Sequence, residues 1–186
     1  MREVAVAVYK FNELADDVKA KVRDRYRENY PDTEWWWPIY EDVILKAKEY
    51  GITLVDDDIQ FTGFWSQGDG ASFVSKEINN YKFADKVGIK ANKEVLDTIE
   101  LYIDRTIVNY SHMNSVHATA VYNDLPSKYE NKAEELTDKL EEVKNTLCTE
   151  LYKNLENYYD ELTSDEYIDN EIMENDLEFL KDGTSF

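Results

Sequence analysis

A stripe of apolar residues in the last third of the chain constrains the fold more than any other feature of the sequence. Its members recur at steps of three or four residues: Leu136, Leu140, Val143, Leu147, Leu151 and Leu155. This spacing keeps side chains on one face of a helix and predicts one long helix over residues 127–162. A capping-box pattern at residues 163–166 predicts a further helix over residues 164–181.

The first two thirds of the chain mix strand and helix patterns. Period-two alternation predicts strands over residues 2–10, 52–65, 71–78, 105–111 and 115–122, and the second of these is interrupted by the acidic run at residues 56–58. Helical spacing predicts helices over residues 13–29, 35–50 and 92–104, and residues 79–92 fit neither pattern. We therefore expect an α+β fold, in which a mostly antiparallel sheet of four or five strands carries helices on one face.

Negative charge is concentrated in the C-terminal third. The chain has 40 Asp and Glu against 21 Lys and Arg, and residues 125–186 hold 18 of the acids but 6 of the bases. This predicts an α+β core domain with an aromatic hairpin over residues 1–124, followed by an acidic helical extension over residues 125–186. The extension packs on the core or on a partner, and a homodimer through the helix at 136–155 is one alternative.

Composition argues against several classes of function. A net charge of −19 disfavours direct binding to nucleic acid or to an anionic membrane, because both need clustered positive charge. The single cysteine, Cys148, excludes a disulfide framework and a multi-cysteine zinc site. No apolar stretch reaches the roughly 20 residues that span a bilayer, and the first residues carry no signal-peptide pattern. We expect a cytoplasmic protein without a cofactor.

The most unusual segment is FTGFWSQGDGASF, residues 61–73. Its Asp-Gly pair favours a tight hairpin turn, which would gather large aromatic and small polar side chains around one tip. Stacking combined with hydrogen bonding is typical of recognition pockets. The candidate binding residues are Phe64, Trp65, Ser66, Gln67, Asp69, Ser72 and Phe73. The alternative is a tight turn whose aromatic residues belong to the core.

Three consecutive tryptophans begin at Trp35. Successive helical residues are about 100° apart, so the three cannot all be buried on one helix face. Trp35 and Trp36 are candidate anchors for a protein partner. The alternative is packing across the start of a helix.

The two histidines lie close together, at His112 and His117. We take His112 and Asn114 as candidate binding residues. Catalysis or metal binding here are minor alternatives beside structural hydrogen bonding, since a metal would need a third ligand. The acidic run at residues 56–58 does not fit a calcium loop, because Phe61 and Gln67 stand where such a loop needs glycine and glutamate. The sequence predicts no catalytic residue and no metal site.

Carboxylates along the C-terminal segment form a candidate partner-binding surface: Glu161, Asp165, Glu171, Glu174, Asp176 and Glu178. A row of carboxylates on a helix can occupy a basic groove of another protein. The alternative is a solvated surface that keeps the protein soluble.

Four segments together resemble a family of small bacteriophage and prophage proteins. They are YKFNEL at residues 9–14, the tryptophan run before Tyr40-Glu41-Asp42, the 61–73 segment and residues 110–116. The resemblance covers about residues 4–122. Some members of that family carry the label of antitoxin of a toxin–antitoxin stability system. The resemblance assigns no catalytic residue, and it implies the cytoplasm of a bacterial host.

We therefore expect a non-enzymatic phage protein that blocks a host defence nuclease or another nucleic-acid-binding complex, as anti-CRISPR proteins do. Its partner would be a host protein with a basic groove. Binding of a toxin, as an antitoxin does, is a variant of this expectation. Two alternatives belong to other classes: sequestration of a nucleotide signal by the Trp65–Phe73 hairpin, and a hydrolase that depends on His112.

Overall fold

The computed structural model describes residues 5–29, 31, 34–107, 110–123 and 125–186. The chain divides into two compact units. The terminal unit combines residues 1–35 with residues 157–186, and the middle unit is residues 36–156. These bounds differ from the boundary at residue 124 that the charge distribution suggests.

Helices and short strands are interspersed along the chain. In order they are β1 (Tyr9–Lys10), α1 (Asp16–Asn29), α2 (Trp37–Glu49), β2 (Ile59–Phe61), β3 (Ala71–Phe73), α3 (Asn80–Lys86), α4 (Lys93–Thr98), β4 (Ile99–Arg105), β5 (Val116–Tyr122), α5 (Glu130–Leu162), α6 (Asp165–Glu174) and β6 (Glu178–Phe179). Single turns of 3-10 helix lie at Phe11–Glu13, Asp56–Asp58, Met113–Ser115 and Ser127–Tyr129. The fold is α+β, as expected.

The expected sheet of four or five strands is wrong. Over the described residues the strands form three separate antiparallel pairs, β1–β6, β2–β3 and β4–β5, so no single sheet carries helices on one face. Between the β3 segment and β4 the ladder stops after one pair, Ser75 with Ile103. The Ser75 hydroxyl donates to the carbonyls of Thr53 (2.8 Å) and Glu77 (3.2 Å). Glu77 also accepts from the Thr53 N–H, so the backbone turns away from β4.

Most of the predicted strands are longer than the observed ones. In each case few of the predicted residues pair with a neighbouring strand. The strand expected over residues 2–10 pairs only at Tyr9–Lys10, and residues 1–4 lie outside the described residues. The strand expected over 52–65 is interrupted by the 3-10 turn at Asp56–Asp58 and pairs only at Ile59–Phe61. The strand expected over 71–78 ends at Phe73.

The helix predicted over residues 92–104 ends at Thr98, and the residues after it form strand β4. Ile99 and Ile103 are four residues apart, which suits one face of a helix and one face of a strand equally well. Burial alternates along the segment, with Leu101 buried between exposed Glu100 and the partly exposed Tyr102. That alternation has the period of a strand, and the strand predicted at 105–111 is displaced to β4.

The long C-terminal helix is confirmed as α5, which begins at Glu130 and ends at Leu162. All the leucines of its stripe are buried, Val143 is half-buried, and the buried residue next to it is Lys144. Because the stripe is buried within one chain, it offers no exposed apolar face for the alternative homodimer. The final predicted helix ends at Glu174 instead of 181, and β6 follows it.

The terminal unit joins α1 to α6. Its apolar core contains Phe11, Leu14, Val22, Ile168, Ile172 and Phe179. Beside this core, the Arg23 guanidinium donates two hydrogen bonds of 2.6 Å to the Asp169 carboxylate. Arg27 forms an ion pair with Asp165. Basic residues of α1 therefore neutralise part of the acidic α6.

The middle unit contains two hairpins, β2–β3 and β4–β5, and the first carries the candidate site residues of the 61–73 segment. Phe73 of β3 is fully buried, and so are Ile103 of β4 and Val116 of β5. Burial in the unit extends to α5, where Cys148 and Leu151 are each about 1% exposed. These buried residues fix the base of the β2–β3 hairpin and leave its tip outside the core.

Candidate functional site

The Asp69 side chain organises the tip of the β2–β3 hairpin. Its Oδ2 atom accepts hydrogen bonds from the backbone N–H groups of Trp65 (3.1 Å) and Ser66 (2.7 Å). The carboxylate also fills the space beside Gly63, where an added Cβ would lie 3.3 Å from Oδ2. Asp69 therefore fixes the loop from within, as aspartates do in turns, and its Oδ2 atom is engaged in the loop.

Aromatic rings form a continuous row through the middle unit to this tip. Phe61 packs against Trp36, with ring centroids 5.9 Å apart, and stacks on Phe64 at 6.1 Å. Phe64 meets Trp65 edge-on at 5.8 Å and Tyr152 of α5 at 5.7 Å. Each of these separations lies within the range of favourable aromatic pairs. The row places two candidate residues, Trp36 and Phe64, behind a third, Trp65.

Trp65 is the exposed end of the row. Its side chain is 74% exposed, and the next residues, Ser66 and Gln67, are exposed as well. Tyr152 supports the loop from α5, because its hydroxyl donates to the Gly63 carbonyl at 3.3 Å. The tip is therefore a protruding aromatic surface with a fixed backbone, and the recognition pocket suggested by the sequence stays a prediction.

The other candidate residues of the segment lie at the buried base of the hairpin. Ser72 and Phe73 are fully buried, and the Ser72 hydroxyl accepts a hydrogen bond from Arg105 at 3.2 Å. Gly70 packs directly on His112, since an added Cβ would lie 2.8 Å from the His112 Cα atom. The structure thus separates an exposed tip from a base that shapes the core.

A network of polar groups holds residues 110–115 against the base. Arg105 donates to the Tyr110 carbonyl and, at 3.1 Å, to the Ser115 hydroxyl. Burial lowers the pKa of the Arg105 guanidinium. His112 Nδ1 accepts from the Asn114 N–H at 3.1 Å and so caps the 3-10 turn. His112 therefore has a structural hydrogen bond, and Asn114 lies exposed beside it.

The tryptophans at residues 35–37 contact different groups, and only Trp37 lies within α2, which begins later than the helix predicted over residues 35–50. Trp35 packs on Tyr159 and Tyr158 of the terminal unit, with ring centroids 5.5 and 6.3 Å away. Trp36 belongs to the aromatic row of the middle unit. Trp37, the first residue of α2, is 46% exposed.

The candidate acidic surface is partly neutralised within the terminal unit. Asp165 pairs with arginines of α1, and Asp176 and Glu178 both pair with Lys10. Among the described residues none forms an ion pair with the other members, which are Glu161, Glu171 and Glu174. Half of the surface is thus available to attract a basic partner.

The structure adds a buried ion pair that the sequence analysis missed. The Lys144 ammonium is fully buried and donates to Glu141 Oε1 (2.7 Å) and to the Val116 carbonyl (2.7 Å). Burial would raise the pKa of Glu141, but the Ala118 N–H and Lys144 outweigh it, so the pKa lies below its usual value. The position of Lys144 within the leucine stripe could have predicted its burial, because residues at such positions of a helix face the core.

Two features of the described residues bear on metal and thiol chemistry. No group of three or more His, Cys, Asp or Glu side chains among them is arranged to hold a metal ion. Burial raises the pKa of the Cys148 thiol to about 12, which makes it a poor nucleophile. Every helix in the described ranges is too short or too polar to cross a membrane.

The sequence pattern of one protein family, a domain of unknown function named DUF8835, matches residues 35–165. The chain belongs to the DUF8835 family. The DUF8835 match includes the β2–β3 hairpin, the aromatic row and α5, so the exposed tip lies within the family's domain. Comparisons with curated proteins and with solved structures give no match.

Proposed function

We propose that this protein is a non-enzymatic binding module that docks Trp65 into a basic, nucleic-acid-binding surface of a host protein and blocks it. The exposure of Trp65 at the tip of a fixed loop carries the proposal. Tryptophan is the residue type most enriched among the side chains that dominate protein–protein binding energy. An exposed tryptophan at the tip of a fixed loop suits the role of an anchor for a protein partner.

The loop is built to present Trp65 without a large loss of conformational entropy on binding. The Asp69 carboxylate fixes the Trp65 and Ser66 N–H groups, and Phe64 packs against the indole from one side. A side chain whose backbone is already ordered loses less freedom when a partner covers it, so more of the contact energy appears as affinity.

Charge favours a basic partner. The chain carries a net charge of −19, and the terminal unit contributes Glu161, Glu171 and Glu174, which form no ion pair with a described residue. Complementary charge of this kind accelerates association and disfavours acidic partners. Surfaces that bind nucleic acid are the common strongly basic surfaces of host proteins.

The resemblance to phage proteins supports a role in the bacterial host cytoplasm against a defence nuclease, as anti-CRISPR proteins act. A toxin with a basic nucleic-acid-binding surface would be recognised by the same combination of an aromatic anchor and negative charge. The antitoxin hypothesis and the inhibitor hypothesis therefore differ only in the partner protein, which is a toxin in the first and a defence nuclease in the second.

The test is capture of partners from a bacterial host by the tagged wild type, by Trp65→Ala and by Trp37→Ala. Trp37→Ala is the matched control, because it removes an exposed tryptophan at another position of the middle unit. We expect one stoichiometric nucleic-acid-binding protein with the wild type and the control, and loss of that protein with Trp65→Ala. The purified partner should then lose its affinity for nucleic acid when the wild type is added.

Two outcomes would overturn the proposal. Capture that is equal for Trp65→Ala and the wild type would remove Trp65 from the interface. A captured partner that binds nucleic acid equally well with and without this protein would exclude blocking as its action. Melting temperatures of the three proteins, measured alongside, ensure that loss of capture does not reflect unfolding.

A further inference from the structure

A groove of about 640 Å³ lies along the edge of β4 that faces away from β5. One wall is β4 itself and the other is the segment that diverges from it after Ser75. Its lining residues include Thr53, Glu77, Ile78, Asn80, Leu101 and Tyr102. Grooves of this size accommodate small ligands or short peptide segments. All of these residues belong to the middle unit.

The backbone of Leu101 points into this groove without a hydrogen-bond partner. Thr106 N–H donates to the Ser115 carbonyl, and the register of β4 with β5 then gives hydrogen bonds to Glu100, Tyr102 and Asp104. The alternate residues of β4 face the other way, and Ile103 accordingly bonds Ser75. Among the described residues, no donor or acceptor meets Leu101 on that side.

The residues on either side of Leu101 that face this edge are Ile99 and Ile103, and their backbone groups are hydrogen-bonded. The unpaired gap is therefore one residue long. Ile103 exchanges two hydrogen bonds with Ser75, of 2.9 and 2.8 Å. The Ile99 carbonyl accepts from the Asn80 side-chain amide, and the Ile99 N–H donates to the Val95 carbonyl. Leu101 itself is 3% exposed and lines the groove. Buried backbone groups are nearly always paired.

A second unpaired acceptor lies at the same groove. Asn80 Oδ1 is buried and has no hydrogen-bond partner among the described residues. The orientation of this amide is fixed, because its Nδ2 group donates to the carbonyls of Leu96 (3.0 Å) and Ile99. Leu101 thus presents one N–H donor and one oxygen acceptor to the groove, a pair that the backbone of one peptide residue would satisfy, while the Asn80 acceptor is buried.

The charge of the groove favours a basic occupant. Its lining contains the carboxylates Glu77, Glu100 and Asp104 against one ammonium, Lys76. On a strand, the side chains of Glu100, Tyr102 and Asp104 lie on the face opposite to that of Leu101. If a peptide residue pairs with Leu101, the residues before and after it in the peptide point their side chains to the opposite face. That is the face on which Glu100 and Asp104 lie.

We propose that an extended segment of a partner protein, with a basic–apolar–basic pattern, adds to the edge of β4 by pairing its central residue with Leu101. The N–H and C=O of that residue bond the C=O and N–H of Leu101. Its basic neighbours lie opposite Glu100 and Tyr102, and the second of them lies diagonally across from Asp104. Strand addition of this kind gives affinity through the main chain and specificity through alternate side chains. The site is separate from Trp65, and neither proposal requires the other.

The test uses the full chain and three fluorescein-labelled peptides. The first, Lys-Val-Lys with blocked ends, is short enough to fit between the bonded positions at Ile99 and Ile103, and it should bind and slow hydrogen exchange at the Leu101 amide. The second has an N-methyl group on its valine, which removes one main-chain hydrogen bond, and should bind roughly ten-fold more weakly or worse. The third has glutamate in place of lysine and should not compete with the first.

Matched variants locate the site on the protein. Glu77→Lys with Glu100→Lys should weaken the first peptide by about five-fold or more, from two reversed charges. Glu134→Lys with Asp138→Lys makes the same change of net charge on exposed residues of α5 and should alter binding less than about two-fold. Trp65→Ala should leave peptide affinity unchanged, which separates this result from the test of the Trp65 surface.

Several results would overturn the proposal. Equal affinity for the N-methylated peptide would show that the main chain is not recognised. Unchanged exchange at Leu101 on saturation would place the peptide elsewhere, and absence of binding at millimolar peptide would exclude strand addition by this pattern. Displacement of the peptide by ethylamine at equal concentration would show that the groove takes a simple amine instead.

Discussion

Replacement of Lys144 by methionine should destabilise the protein far more than a surface change of the same type. Methionine keeps most of the volume of lysine but removes three hydrogen bonds, to Met113, Val116 and Glu141. Removing one partner of a buried pair typically costs about 3–5 kcal/mol. The Glu141 side chain is 34% exposed and can be hydrated once its partner is gone. We therefore expect a loss near the lower limit, about 3 kcal/mol.

Urea unfolding followed by circular dichroism measures this loss, with unchanged slope as the check that the same transition is compared. Lys139→Met is the control, because Lys139 pairs with Glu142 on the surface, where its side chain is 44% exposed. That variant should lose less than about 0.5 kcal/mol. A loss below about 1 kcal/mol for Lys144→Met would refute the reasoning that the buried ammonium holds α5 to the start of β5.

The same pair predicts a dependence on pH. The pKa of Glu141 is lowered in the folded protein, so its contribution is present above its usual pKa and is lost as the pH falls through the folded value. The gap in stability between the wild type and Lys144→Met should therefore narrow from pH 7 toward pH 3. A gap that is constant over this range would show that the ionised carboxylate does not contribute.

Three further predictions concern the loop, a thiol and a glycine. Asp69→Ala should lower the free energy of unfolding by about 1–2 kcal/mol and speed hydrogen exchange at the Trp65 amide, and unchanged exchange would refute its role as organiser. Cys148 should react with Ellman's reagent at pH 8 only as fast as the protein unfolds, because its pKa is about 12; rapid reaction in the folded state would contradict this. Gly183→Ala should cost about 1–3 kcal/mol more than Gly88→Ala. Both have positive φ, but only at Gly183 would the new Cβ meet side chains, at 2.9 Å, and equal losses by thermal unfolding would show that these side chains move aside.

The long helices α1, α2 and α5 could be predicted from sequence, and the pairing of most strands could not. Helical periodicity is local, and the stripe of α5 identified its bounds to within three residues at the N-terminal end. Pairing of strands depends on residues far apart in the chain. The Ser75 hydroxyl decides where the ladder beside β4 stops, through contacts with Thr53 and Glu77 that no local pattern contains.

The candidate site could be predicted only in part, because local patterns identify the segment but not its contacts with distant residues. The unusual 61–73 segment drew attention to Trp65, which is exposed, but the same argument included Ser72 and Phe73, which are buried. Alternation alone does not tell which face of a hairpin meets the core. The groove beside Leu101 left no trace in the sequence, since it arises where two segments fail to pair.

The pairing of β1 with β6 has a consequence for how the chain folds during synthesis. The apolar residues of the N-terminal segment, such as Phe11 and Leu14, meet Phe179 and Ile172 in the finished core. At translation rates of about 5–20 residues per second, they wait roughly ten seconds or more for those partners to leave the ribosome. The middle unit has all of its residues earlier and can fold first. We expect nascent chains to bind chaperones through α1 until the last strand emerges.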